Sequence, residues 1–189
     1  MAVLLAGLVL FLGLHSVSIV APQWRDARVR QFGELRWKGL YSLIAAVGLL
    51  LIIVGYGLAR QSPITLYTPP AMLRHLAWLL MAPVFVLLFA AYLPGRIQSA
   101  TRHPMLLAVK LWATAHLLAN GSVADVLLFG GFLAWAVADR ISMKRRPARP
   151  KPELPVGRFN DAIAVVGGLV VYLLFFAVGH AWLIGVAPR

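Results

Sequence analysis

Long apolar runs alternate with short polar stretches along this chain. Measured against the ~20 residues that cross a bilayer, the runs predict six helices: Ala2–Val20, Gly39–Ala59, Ala71–Leu93, Met105–Ala119, Val123–Ala138 and Ala162–Ala187, the last expected to be shorter than its run. The fourth and fifth have 15 and 16 residues. At 1.5 Å per residue they reach about 22–24 Å, short of the ~30 Å hydrocarbon core. They are therefore expected either to span or to form a short re-entrant hairpin. The fold class is all-α: a polytopic transmembrane bundle of about six helices in a single domain over residues 1–189.

Composition agrees with that reading. Apolar residues make up 61% of the chain and charged residues 13%, against about 25% charged in a soluble domain. A soluble enzyme, a disordered regulator and a secreted disulfide scaffold are excluded. The chain contains no cysteine, which removes iron–sulfur clusters, thiolate haem ligation and covalent haem attachment together. The net charge of +12 would suggest nucleic acid in a soluble chain, but its placement argues against such a partner. Fourteen Lys and Arg lie in the first, third and fifth connections, and three (Arg60, Arg74, Arg189) lie on the other side. The positive-inside rule then puts both termini outside the cytoplasm. The first run lacks a basic leader and a small-residue cleavage site, so it is expected to remain as a permanent span. The stretch Pro147–Pro155, with Arg149 and Lys151 among its prolines, reads as a stiff basic cytoplasmic linker able to touch membrane lipid headgroups.

Ionisable groups inside spans are costly and point to function by default. No H-E-x-x-H, acidic dyad or phosphate-cradling loop is present, so hydrolytic chemistry has no footing. His15, within the first helix, is either a satisfied interior histidine or a metal or haem ligand. His75 and His180 read as interfacial. His103 and His116 are thirteen residues apart, about 20 Å along one helix, so they cannot bind the same iron. A site using His116 must draw its partner from another helix, and neutral imidazole suits haem iron or another transition metal. If the first helix runs to Trp24, His15 and His116 overlap in depth; if it ends at Val20, the offset grows to roughly 12 Å. In that second case His75, His116 and His180 form the natural outer cluster.

Asn120-Gly121 predicts a left-handed stop for the fourth helix, and Ser122 with Asp125 a capping box for the fifth. Lys110 either snorkels to the headgroups or pairs with a haem propionate or a buried carboxylate. Gly130-Gly131 and Gly167-Gly168 predict close helix contacts. Aromatics such as Trp112 read first as packing and interface anchors.

Several of these residues together resemble the NnrU family. They are Arg102-His103-Pro104, then Leu111-Trp112-Ala113-Thr114-Ala115-His116 through Asn120-Gly121, Phe129-Gly130, Ala138-Asp139-Arg140, and the early Leu14-His15-Ser16. The resemblance covers essentially the whole chain. That family includes bacterial membrane proteins associated with denitrification and the plant 15-cis-zeta-carotene isomerase, which uses haem b to isomerise a polyene double bond. The resemblance implies a bacterial inner-membrane protein in which haem b is ligated by His15 and His116, near Lys110 and Trp112. Its partners would be a lipophilic small-molecule substrate or respiratory and denitrification membrane enzymes. Arg102, His103, Pro104, Asn120, Asp139 and Arg140 belong to its motif. One departure bears on mechanism: the plant isomerase has a cysteine one turn before the second ligand, where this chain has Ala113. A redox-controlled exchange of histidine for that cysteine cannot occur here.

Two alternatives come from other classes. Arg-His-Pro before a short membrane helix also resembles the isoprenylcysteine and phospholipid methyltransferases, which use S-adenosylmethionine. Those enzymes usually follow His-Pro-x with tyrosine, where this chain has Leu106, and later carry an acidic pair. Here only Asp125 and Asp139 follow, fourteen residues apart. The third reading is a non-catalytic membrane accessory factor.

Overall fold

Proline fixes the first boundary of the chain. Pro22 disfavours helical geometry in the residue before it, and Ala21 (φ −138°, ψ 55°) ends helix α1 (Ala2–Val20). Pro22 then occupies the first turn of α2 (Pro22–Phe32), where its missing N–H costs nothing. Gly33 (φ 81°) breaks α2 from α3 (Glu34–Ala59). The computed structural model describes residues 1–147 and 154–188. After α3 come α4 (Ala71–Ala90), α5 (Arg96–Thr101), α6 (Pro104–Ala119) and the single turn α7 (Val123–Asp125). A π-helical segment (Val126–Gly130) leads into α8 (Gly131–Ser142). The chain closes with α9 (Asn160–Leu174), a second π segment (Phe175–Gly179) and α10 (His180–Ile184).

All six expected segments are helical, the first with the expected ends and the others with shifted ones. The second helix starts at Glu34 instead of Gly39, the third stops at Ala90 instead of Leu93, and the last runs from Asn160 to Ile184. Helices α2 and α5 are additions, because their polar sequences carry no apolar run. Among the described residues four helical stretches are long and apolar enough to cross a membrane: Ala2–Val20, Glu34–Ala59, Ala71–Ala90 and Asn160–Ile184. Helix α6 is apolar but shorter. Their large apolar side chains face outward, as Leu43 (63% exposed), Leu50 (60%) and Leu173 (61%) illustrate. Such a surface suits hydrocarbon and not water. Most of the Pro147–Pro155 stretch lies outside the described residues.

The contacts divide the chain into two compact units. One joins Met1–Thr68 to the segment that begins at Asn120; the other joins Pro69–Ala119 to the C-terminal segment. In the first, α1 packs along α3, and α8 packs on α1. A Cβ at Gly7 would lie 2.6 Å from the Ile52 nitrogen, and one at Gly55 would strike the Leu4 backbone. Membrane helices associate through such backbone approach, since lipid offers no hydrophobic drive. In the second unit α4 packs against α6 and α9 around Val84, Leu87 and Ala108. Here the expectation for Gly167-Gly168 holds: a Cβ at Gly168 would sit 2.5 Å from the Val86 backbone. It does not hold for Gly130-Gly131. The nearest atoms to Cβ positions there are ordinary contacts with Val126 and Leu12 side chains.

The turn after α6 also differs from expectation. Neither Asn120 nor Gly121 has positive φ. Instead the Gly121 carbonyl accepts from Leu66 (2.8 Å) and Tyr67 (3.1 Å), and Val123 N–H donates to the Ile64 carbonyl (2.8 Å). Gly121 is required because a Cβ would fall on the Tyr67 carbonyl. The capping box is present: Ser122 N–H donates to the Asp125 carboxylate (2.8 Å), and Asp125 N–H to the Ser122 hydroxyl (3.2 Å).

Candidate functional site

In the first unit the site is built on α1. Its Nδ1 contact ties His15 to the Phe11 carbonyl, four residues earlier, at 2.7 Å. With Nδ1–H as donor, the neutral ring carries its lone pair on Nε2, the arrangement typical of metal-ligating histidines. Aromatic rings surround it: Phe11 stacks at 4.2 Å, and Tyr41 of α3 and Trp135 of α8 meet it edge-on at 5.3 and 5.8 Å. Phe132 lies 5.6 Å from Phe11. The Trp135 indole N–H is buried with no acceptor, a state that costs about 1–3 kcal/mol.

Below this cluster Asp139 and Arg146 form an ion pair at 2.7 Å, with side chains only 8% and 13% exposed. Arg146 also donates to the Ser18 carbonyl at 2.7 Å, tying the end of α1 to α8. Arg140 sits in the last turn of α8, where a cation complements the helix dipole. A cavity of about 240 Å³, lined by Val17, Ser18, Arg25, Trp37, Lys38, Tyr41 and Ser42, opens beside α1.

At the other end of this unit Asp125 accepts from the Tyr56 hydroxyl at 2.5 Å, besides its capping bonds. Tyr67 donates to the Asn120 carbonyl at 2.8 Å. Partial desolvation, reinforced by the Asp125 carboxylate, pushes the Tyr67 phenol above its ordinary range, so it stays protonated as a donor. Asn120 therefore contributes its backbone to a structural joint.

In the second unit His116 repeats the device of His15. Its Nδ1 lies 2.8 Å from the Trp112 carbonyl, again four residues earlier, with the Trp112 ring at 5.3 Å. Ala113, one turn before, is fully buried. Lys110 is half-buried and holds no ion pair among the described residues.

The Arg102-His103-Pro104 element is a strained joint between α5 and α6. Arg102 has φ 60° and ψ −37°, a geometry that L side chains rarely adopt. His103 N–H donates to the Thr101 carbonyl (2.7 Å) across it, and the His103 carbonyl accepts from Leu107. His103 thus opens α6, with Pro104 as its first residue. Nearby, the Asp161 carboxylate accepts from the Arg96 and Ile97 amides at 2.9 and 3.0 Å. Asn160 donates to the Pro94 and Pro155 carbonyls.

His75 is exposed against Trp78, with ring centroids 4.8 Å apart. His180 is bonded through Nδ1 to the Val186 carbonyl of the terminal loop. Among the described residues no group of three or more His, Cys, Asp or Glu could hold a metal ion, so His75, His116 and His180 form no such group. Sequence reasoning missed Tyr56, Arg146, Asn160 and Asp161. Of their partners, Asp139 carried a motif signal and Asp125 the capping-box signal.

Helices with lipid-type surfaces and imidazoles oriented by their own backbones define a polytopic all-α membrane protein. The sequence matches the family model described as NnrU protein over residues 3–188. The chain belongs to the NnrU family. Searches of the curated proteins and of the solved structures found no match.

Proposed function

We propose that this protein binds haem b within the membrane, that His15 and His116 are the residues that would ligate its iron, and that it acts on a lipophilic polyene. The observation that carries this reading is the shared local geometry of the two histidines. Each contacts the carbonyl four residues earlier through Nδ1, which fixes the tautomer whose Nε2 is the basic nitrogen. The donor set suits iron: neutral imidazoles, aromatic flanks and no thiolate. Helix length does not favour the pair: α1 stops at Val20, the length at which His15 and His116 are offset in depth by roughly 12 Å, and the support comes from ring geometry alone.

Bound haem would supply a redox-active iron centre for the isomerisation of a conjugated double bond. The chain's own residues orient and shield. Phe11 and Trp112 provide the carbonyls that fix the rings, and Phe11, Tyr41, Phe132 and Trp135 exclude water from His15. Lys110 provides a cation for a haem carboxylate.

Purified protein in detergent is expected to bind haemin saturably and to give a b-type pyridine haemochrome. Absence of that spectrum together with saturable S-adenosylmethionine binding would assign the chain to the methyltransferases instead.

The inner membrane is the proposed location, with both termini outside the cytoplasm, on the fourteen-to-three placement of Lys and Arg. A cytoplasmic reporter fused after Lys144 is expected to be active. Activity of a periplasmic reporter at that point would reverse the orientation.

A further inference from the structure

We propose that the cavity beside His15 receives a carboxylate of the bound haem, with Arg25 and Lys38 as the groups that hold it. The inference rests on the haem reading above. Tyr41 makes the link, since its ring meets His15 edge-on at 5.3 Å and it also lines the cavity. Val17 and Ser18 line the cavity as well, two and three residues beyond His15 on the same helix, or about 3–4.5 Å along its axis. Tyr41, Val17 and Ser18 thus place the cavity within one turn of His15 along α1.

The lining suits a carboxylate. Arg25 and Lys38 supply cationic donors, and Ser42 and Tyr41 supply hydroxyls. The Tyr41 hydroxyl makes no hydrogen bond to another described residue. Trp37 forms an apolar wall, and Trp24, 6.1 Å from it, extends the aromatic rim. Both cations already have partners: Arg25 pairs with Asp26 at 2.9 Å and Lys38 with Glu34 at 2.7 Å. Those carboxylates are at least 41% exposed, and such solvent-screened pairs contribute little. Arg25 keeps further guanidinium donors for a second oxygen anion. An anionic lipid phosphate has related chemistry, but Tyr41 joins the cavity to His15, and a lipid headgroup would have no need of that connection.

The test compares haem b with its dimethyl ester, whose two carboxylates are masked. Both are titrated into the full-length protein in neutral detergent and followed by Soret absorbance and tryptophan quenching. Wild type is expected to bind haem about tenfold or more tightly than the ester, the usual scale of one charge-assisted hydrogen bond. Arg25→Gln and Lys38→Gln should weaken haem binding toward the ester value and leave ester binding unchanged, while Arg25→Lys retains part of the difference. Lys38 is 65% exposed, so its variant does not threaten folding. Equal binding of haem and ester by wild type would overturn the proposal. So would an unchanged haem-to-ester ratio in both Gln variants, or loss of only co-purified phosphatidylglycerol on native mass spectrometry, which assigns the cavity to lipid. Failure of wild type to bind either porphyrin would overturn the haem reading itself, and this inference with it.

Discussion

His15→Ala and His116→Ala are each expected to abolish the low-spin absorption spectrum of the haem-loaded protein. Removing one of two strong-field imidazole nitrogens leaves iron five-coordinate or water-ligated, and its spin state changes with the ligand field. The Phe11 and Trp112 carbonyls lie within continuous helices, so the fold is expected to survive. Circular dichroism of the same samples checks that. His180→Ala should leave the spectrum nearly intact, because His180 sits at the C-terminal end of the last span, against the terminal loop. His103→Ala should also spare ligation, since His103 opens α6 at the strained Arg102 joint. A normal low-spin spectrum in His15→Ala, with loss in His75→Ala, would reject this ligand pair.

Arg146→Ala is expected to lower stability by about 3–5 kcal/mol, the usual consequence of leaving a buried charge without its partner. The abandoned group is Asp139, 6% exposed as a residue, and the Ser18 carbonyl loses its donor at the same time. Asp139→Ala should do comparable damage from the other side. The double variant Asp139→Ala/Arg146→Leu should recover much of the loss, because no uncompensated charge remains. Thermal unfolding in detergent, followed by helical ellipticity, measures all three. Additive losses in the double variant would show that the two side chains act separately.

What was legible in the sequence follows from which physics is local. The six apolar runs became helices because a backbone in hydrocarbon must satisfy its own hydrogen bonds, and run length alone shows that. The Ser122–Asp125 box was legible because both partners sit within one turn. Helices α2 and α5 were not, since Arg25, Arg28 and Arg30, or Arg96 and Gln98, give no apolar signal. Gly121 was assigned to a left-handed turn on the habit of its residue type, whereas its need is a close approach to Tyr67, more than fifty residues away. The distant partners of Asp125 and Arg146 lay beyond reach for the same reason: Tyr56 is 69 residues from Asp125, and Ser18 is 128 from Arg146. His15 and His116 could be singled out as intramembrane imidazoles, but the Nδ1 contacts that orient them are rotamer choices that no spacing reveals.

If two imidazoles hold the haem iron as proposed, near-infrared magnetic circular dichroism of the oxidised, haem-loaded wild-type protein reads both ligands at once. The position of its charge-transfer band separates bis-imidazole from imidazole–water, imidazole–methionine and imidazole–amine ligation. Wild type is expected to show the bis-imidazole band, lost in both His15→Ala and His116→Ala. A band of another ligand pair, or a bis-imidazole band that persists in either variant, would rule out ligation by His15 and His116.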